Sequence, residues 1–349
     1  MEIGITTFVE TTPDPVTGKT ITHAQRIREI VEEIVLADKV GLDVYGIGEH
    51  HREDFAASAP EVILAAAAPL TKHIKLTSAV TVLSSVDPVR AYQNFSTLDA
   101  LSNGRAEIMV GRGSFTESFP LFGYDLRDYH DLFEEHLELL LKIRDEEKVT
   151  WRGGHRPAIR NLGVYPRTET APLSIWIGSG GNTESVLRAA VLGLPLALAI
   201  IGGSPLHFEP LVRLYKQQAA RAGHDASKLT VASHSHGFIA KTTEEANHKF
   251  FGPTQHVMNK LAGERGWAPY TRATYDRARK LEGALYVGDP ETVAEKIIHL
   301  RKHVGITRFL LHLPLGTMPH EDVMEAIRLL GEEVAPRVRE EIARWEAEI

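Results

Sequence analysis

The residues best suited to chemistry gather at the ends of strand-like runs. His50 lies near the end of Asp43–His51, which reads DVYGIGEHH. Along an extended chain successive side chains alternate faces, so Gly46, Gly48 and His50 share one face and Tyr45 and Ile47 the other. Two glycines leave an empty place beside that strand where a flat ligand could lie, with His50 at its rim. An imidazole, with an unperturbed pKa of about 6.5, suits proton transfer near neutral pH. Glu49 and His51 flank it.

Two other runs suit an anion. In Gly178-Ser179-Gly180-Gly181-Asn182-Thr183-Glu184-Ser185, glycines allow close backbone approach. A helix behind them would point free N–H groups and its positive dipole end outward, with Ser185 in its first turn. No Gly-Lys-Ser/Thr follows, so this is not a Walker A loop. Alone it reads equally well as a plain strand-to-helix turn. Gly111-Arg112-Gly113-Ser114 strengthens the anion reading, because Arg112 can give a forked, charge-assisted contact and Ser114 a hydroxyl. The histidines His50, His51, His234 and His236, with Glu49, admit a metal centre. A histidine-lined pocket without metal is the simpler reading. Barrel metal hydrolases usually show an early His-x-His strand, and here that strand carries Thr6-Thr7-Phe8.

Alternating strand and helix patterns position these residues. Strands are expected at Glu2–Phe8, Asp43–His51, Ile74–Leu83, Arg105–Val110, Leu173–Ile177, Leu196–Ile201, Leu229–Ala240 and Arg308–Leu313, with a polar loop at 11–20 after the first. Thr22 and Asp87 suit helix N-caps, Pro88 a first helical position and Gly41 a helix stop. Eight βα units without a composition break indicate one α/β domain over 1–349, a (β/α)8 TIM barrel with insertions near 151–171 and 251–284. A doubly wound sheet with a second domain is the structural alternative. Such a barrel keeps its chemistry at the C-terminal strand ends, where the residues above fall.

Composition narrows the partners. The chain is 43% hydrophobic and 24% charged, with net charge −7 and no cysteine. Mixed acidic charge argues against nucleic acid or an anionic membrane as the main partner. The lack of cysteine removes disulfides and thiolate chemistry. No leader pattern or bilayer-length apolar run is present, which leads us to expect a cytoplasmic protein.

Taken in order, several segments resemble the luciferase-like flavin-dependent monooxygenases. They are Glu49-His50-His51, Thr77–Leu83 with Asp87-Pro88-Val89-Arg90, and Leu98-Asp99 with Ser102-Asn103-Gly104-Arg105. Gly111-Arg112-Gly113, the Gly178–Ser185 turn and Gly288-Asp289-Pro290-Glu291 complete the set. The run from Gly111 and Tyr165-Pro166-Arg167 look closer to an uncharacterised FMN-dependent branch than to true luciferases. The resemblance implies FMN in the barrel mouth, with Arg112 and Ser114 helping to hold its phosphate and Gly180, Gly181, Asn182 and Ser185 at the helix end. It aligns His50 with the catalytic histidine and places Glu49 beside the cofactor. It also aligns Ala79–Val80 with a non-prolyl cis peptide against the flavin ring.

The implied reaction uses reduced FMN and O2, through a C4a-peroxyflavin, to oxygenate a small organic substrate such as a carbonyl compound. The missing two-glycine Rossmann fingerprint fits NAD(P)H acting through a partner flavin reductase, with direct reduction by NAD(P)H the alternative. A homodimer is expected from relatives. F420-dependent oxidoreduction on the same barrel and non-catalytic flavin binding are the alternatives. Phe8, Phe115, His234, His236 and His312 are the expected substrate wall. The segment Phe251–Leu281 is expected as a lid, or else as a packed insertion or a dimer contact.

Overall fold

The computed structural model describes residues 1–14 and 17–348. Positions 15 and 16, within the loop expected at 11–20, and position 349 lie outside the described residues. Eight parallel strands close on themselves: β1 Glu2–Thr7, β2 Val44–Ile47, β3 Lys75–Ser78, β4 Ala106–Gly111, β5 Ser174–Ser179, β6 Leu196–Ala199, β7 Val231–Ile239 and β8 Arg308–His312. Each pairs with the next, and β8 returns to β1 with Glu2 opposite Arg308 and Thr6 opposite His312. The fold is a (β/α)8 TIM barrel with additional elements.

Side-chain alternation divides the core. Ile3, Ile5, Tyr45, Ile47, Ile175 and Ile177 face the surrounding helices. Val44, Ala79, Met109, Trp176, Ala197, Ala232 and Leu310 fill the barrel interior as a separate cluster. The helices begin where local chemistry directs. Thr22 caps α1 (His23–Lys39) by accepting the Gln25 N–H. Asp87 caps the helix Pro88–Ser102 by accepting the Val89 and Arg90 N–H groups, with Pro88 at its first position.

Three expectations change. The third strand does not run unbroken from Ile74 to Leu83. It stops at Ser78, the Ala79–Val80 peptide is cis, and Thr81–Val82 then pairs with β4. The insertion expected near 151–171 holds a hairpin that begins earlier, Lys148–Trp151 against Ile159–Gly163. The stretch from Phe251, weak in pattern, is helical: one helix runs Thr243–Arg265 through Pro253, and a short one spans Arg272–Ala278. The long helix is capped by Thr242 and stopped by Gly266 at φ +68°, so its ends are specified although its middle is amphipathically poor.

The N-terminal end of the barrel is closed by charge. Arg308, only 1% exposed, places Nη1 2.6 Å and Nη2 3.1 Å from the two Glu107 carboxylate oxygens and Nε 2.6 Å from Glu2. Its guanidinium lies 4.2 Å from the Trp176 ring centroid, and Lys75 joins Glu2 at 2.7 Å.

Candidate active site

The opposite, C-terminal end carries aromatic rings and neutral imidazoles. His50 stacks on Phe55 at 4.4 Å and meets Phe8 at 4.5 Å and Phe115 at 5.0 Å, both edge-on. Its backbone N–H is anchored on Ala57. Burial among these rings, followed by the fields of His312 and His51, pushes the His50 imidazole down to about 3. It is therefore uncharged at neutral pH. A negative charge developing beside it would raise its basicity.

The expected space beside Gly46 and Gly48 is filled. A Cβ on Gly46 would stand 3.0 Å from Ala79 Cβ and from Thr6 Cγ2, and a Cβ on Gly48 would overlap the Phe8 ring at 2.4 Å. These glycines admit the Ala79 bend and the Phe8 ring, so no flat ligand lies directly on β2. The glycines that shape an open surface are on the neighbouring strands. Val80 is partly exposed and packs on the interior cluster. A Cβ on Gly111 or Gly178 would come within 2.8 Å of its methyl groups. Val80 thus sits between two bare backbones, giving a low apolar platform that agrees with the cis position the resemblance implied.

Glu49 holds this platform rather than facing outward. It is buried, with Oε1 2.7 Å from His51 Nε2 and Oε2 accepting the Val82 N–H at 2.8 Å, and its own N–H is donated to Val80 O. Arg112 leaves β4 beside the end of β5, because Val110 is in register with Ile177. Its Nη1 donates to His130 Nδ1 at 2.6 Å and its guanidinium lies over Tyr129. Ser114 is exposed, and its carbonyl accepts from Arg265 at 3.4 Å.

At the β5 turn, Gly180 faces open space and Gly181 takes φ +99°, which suits glycine. Asn182 is the helix N-cap and accepts the Ser185 N–H at 3.2 Å, while Ser185 itself is buried. The helical ladder starts at Val186, leaving the Thr183 and Glu184 N–H groups toward solvent among the described residues. Asn182 and Ser185 therefore form the end of the helix, and the exposed donors are backbone groups next to them.

The histidines of the last two strands form a second group. Thr6 Oγ1 lies 3.0 Å from His234 Nε2 and 3.5 Å from His312 Nδ1, and His312 Nε2 lies 3.1 Å from Glu10 Oε1. Burial holds His234 down at about 3 and His236 well below its ordinary value. Among the described residues no three or more His, Asp or Glu are arranged to hold a metal ion. Glu10 was not legible from the sequence. It reaches the barrel end because Val9 turns at φ +58°, a left-handed conformation that costs a β-branched residue of order 1–3 kcal/mol. Thr6 and Phe55 were missed too. Alternation from Phe8 would have found Thr6, but Phe55 comes from a polar loop without a pattern.

Over this end lies the Thr243–Arg265 helix. Glu264 makes two contacts to Arg52, at 2.6 and 2.8 Å, and Lys260 pairs with Asp54 at 2.8 Å. Arg52 and Arg265 both lie over Phe115, at 5.0 and 5.3 Å.

The sequence pattern of the luciferase-like monooxygenases matches residues 1–308. This chain belongs to that family. It is 31% identical over 313 residues to the N-acetyl-S-alkylcysteine monooxygenase of Bacillus subtilis, covering 85% of this chain and 90% of that one. It is 24% identical over 338 residues to the F420-dependent glucose-6-phosphate dehydrogenase of Amycolatopsis mediterranei, covering 87% and 96%. Its fold matches the oxygenating constituent of 3,6-diketocamphane monooxygenase from Pseudomonas putida, a type II Baeyer-Villiger monooxygenase in complex with FMN. That match has a TM-score of 0.76 and 22% identity, over 97% of this chain and 99% of that one. The family relatives thus include both FMN- and F420-dependent enzymes.

Proposed function

We propose that the chain is a monooxygenase that uses reduced FMN and O2 to oxygenate a small organic substrate, with carbonyl compounds the first class to test. The observation that carries this reading is the platform of Val80 between Gly111 and Gly178, with His50 among aromatic rings at the same end of the barrel. An isoalloxazine ring needs a flat apolar support, and the platform has that character. Its phosphate needs cationic and N–H donors. Arg112, Gly180 and the free Thr183 and Glu184 N–H groups supply them on the adjoining strand ends.

Reduced FMN, when bound, supplies the electrons and the oxygen-activating chemistry. The protein's part is to orient and seal. Glu49 fixes the Val80 segment through Val82. Phe8, Phe55 and Phe115 exclude water around His50, whose neutral ring would accept a proton once a negative charge develops beside it. The reduced flavin would come from a separate reductase, and the protein would work as a homodimer.

The test is the mass and absorption spectrum of the copurifying cofactor, followed by oxygen uptake with reduced FMN and an aldehyde and ketone panel. FMN with substrate-dependent uptake supports the proposal. The relative named for F420 favours a second reading, hydride transfer with that deazaflavin on the same platform. Binding of F420 in place of FMN would establish it. Tight FMN binding without oxygen uptake across the panel would instead indicate a flavin-binding protein.

A further inference from the structure

The hydrogen bonds below the aromatic rings have a direction. Glu10 as a carboxylate can only accept, so His312 donates from Nε2, and in the neutral ring its Nδ1 is then the acceptor. Thr6 O–H can then donate to His312 Nδ1, and the same oxygen accepts from His234 Nε2–H. That leaves the lone pair of His234 on Nδ1. Exposure orders the chain in the same sense. Thr6 and His312 are fully buried and Glu10 is 2% exposed, whereas His234 and His236 keep 9% each. The inner end is a sealed carboxylate, and the end nearest the mouth is a nitrogen lone pair. Beside it, His236 has a buried Nδ1 without a partner among the described residues.

Two features show that this chain is built. Glu10 reaches it through the left-handed Val9, and the backbone there is pinned to the loop after β2 by Thr11 N–H to Asp54 O and Ala56 N–H to Val9 O. Phe8 packs on both His50 and His312, at 4.5 and 4.3 Å. His50 is outside the hydrogen-bonded chain, so the site holds two separate proton-handling groups.

We propose that His234 Nδ1 is the proton acceptor of a substrate subsite for a planar compound with a weakly acidic hydroxyl, a phenol or an enol. The Thr6–His312–Glu10 chain draws that proton inward. The ligand O–H bond breaks as His234 Nδ1–H forms. His234 Nε2–H passes to Thr6, and the Thr6 proton passes to His312 Nδ1. The end state is a ligand oxyanion and a His312 imidazolium paired with Glu10, with no electron transferred. A carboxylate ligand has no proton to give at neutral pH and meets no charged imidazole, because burial keeps His234 and His236 neutral, while Arg52 and Arg265 over Phe115 are engaged by Glu264 and the Ser114 carbonyl. The rings of Phe8, Phe55 and Phe115 suit a flat, conjugated body. His234 would touch the ligand; Thr6, His312 and Glu10 are positioning residues.

This subsite deepens the oxygenase reading, yet its test needs neither flavin nor oxygen. The probe is 4-nitrophenol, whose phenolate is coloured, mixed with the flavin-free protein at a pH below its free midpoint. The expected result is a phenolate band on binding, without net proton release. Its apparent ionisation midpoint should drop by about one pH unit, a tenfold change in the ionisation constant. Thr6→Val and Glu10→Gln should lose the band, and Thr6→Ser should keep it. 4-Nitroanisole, which has no acidic proton, should bind wild type and Thr6→Val within about twofold. Failure of wild type to bind 4-nitrophenol, binding without the phenolate band, or an unchanged band in Thr6→Val overturns the proposal. A negative oxygen-uptake assay would count against the oxygenase reading and leave this result standing.

Discussion

The two ends of the barrel handle buried polarity in opposite ways. At the base, Arg308 is a permanent cation, matched by Glu107 and Glu2 and laid on Trp176. Three of its N–H groups are used on carboxylate oxygens, although the buried Trp176 indole N–H finds no partner among the described residues. At the mouth, burial removes charge: His50, His234 and His236 are kept neutral, and His236 Nδ1 lacks a partner among the described residues. A matched ion pair closes a barrel end. Neutral imidazoles among phenyl rings leave an end whose electrostatics a ligand can complete. The contrast explains why both ends are rich in titratable residues while only one is suited to chemistry.

Substitutions should separate the ends. Arg308→Ala takes the two-pronged buried partner from Glu107, leaving it only Lys75 at 3.4 Å, and should lower unfolding stability by about 3–5 kcal/mol in urea titrations. A loss below about 1 kcal/mol would show that water reaches the base and that the seal is not formed. At the mouth, His50→Ala should reduce oxygenation by at least about 100-fold while FMN still binds, measured by turnover alongside flavin titration. Unchanged turnover would remove His50 from the chemistry. Arg112→Ala should weaken FMN binding by roughly 10- to 100-fold, the worth of a charged hydrogen bond; an unchanged Kd would move the phosphate elsewhere.

Acid should resolve the ends on the pH axis. His50, partly exposed, and buried His234 titrate at about 3 in the folded chain against 6.5 as free groups. Below 6.5 the unfolded chain binds protons that the folded one refuses, so stability falls from there toward pH 3. Glu2 behaves differently, because its carboxyl is lowered from 4.5 on balance by Arg308 and Lys75 against burial. Its contribution is present above 4.5 and lost only as pH falls below that. His234→Gln should flatten the upper part of the stability profile and leave the lower part, as read by denaturant midpoints across the range. The smallest effect is expected of Arg52→Ala. Its partner Glu264 is half-exposed, so global stability should change by less than about 1 kcal/mol. Amide exchange in the last turns of the Thr243–Arg265 helix should nonetheless quicken; equal rates would show that the helix is held by other contacts.

The barrel was legible because it rests on repetition. Eight apolar runs, the caps Thr22 and Asp87 and the glycine stops recur at short range, and each agrees with the final topology. The family resemblance added the Ala79–Val80 position, which no propensity marks. What failed was what depends on distant partners. Gly46 and Gly48 looked like space until Phe8 and Ala79 came in from other strands. Glu10 gained its place through a backbone turn at Val9 that side-chain alternation cannot foresee. Phe251–Arg265 lacks a clean apolar face because its inner side carries Lys260 and Glu264, which pair with Asp54 and Arg52, so its pattern was weak while its capping residues were sound.

Access to the mouth is coupled to the geometry of His50. Arg52 and Asp54, which tie down the covering helix, lie two and four residues beyond His50 on the same loop, whose Phe55 stacks on that imidazole. Lifting the helix would release the loop that fixes the ring. A molecule small enough to enter without breaking those ties would meet a rigid base, whereas a bulky one would disorder it on the way in. Size discrimination would then show in turnover rather than in affinity, with large substrates binding well and reacting slowly.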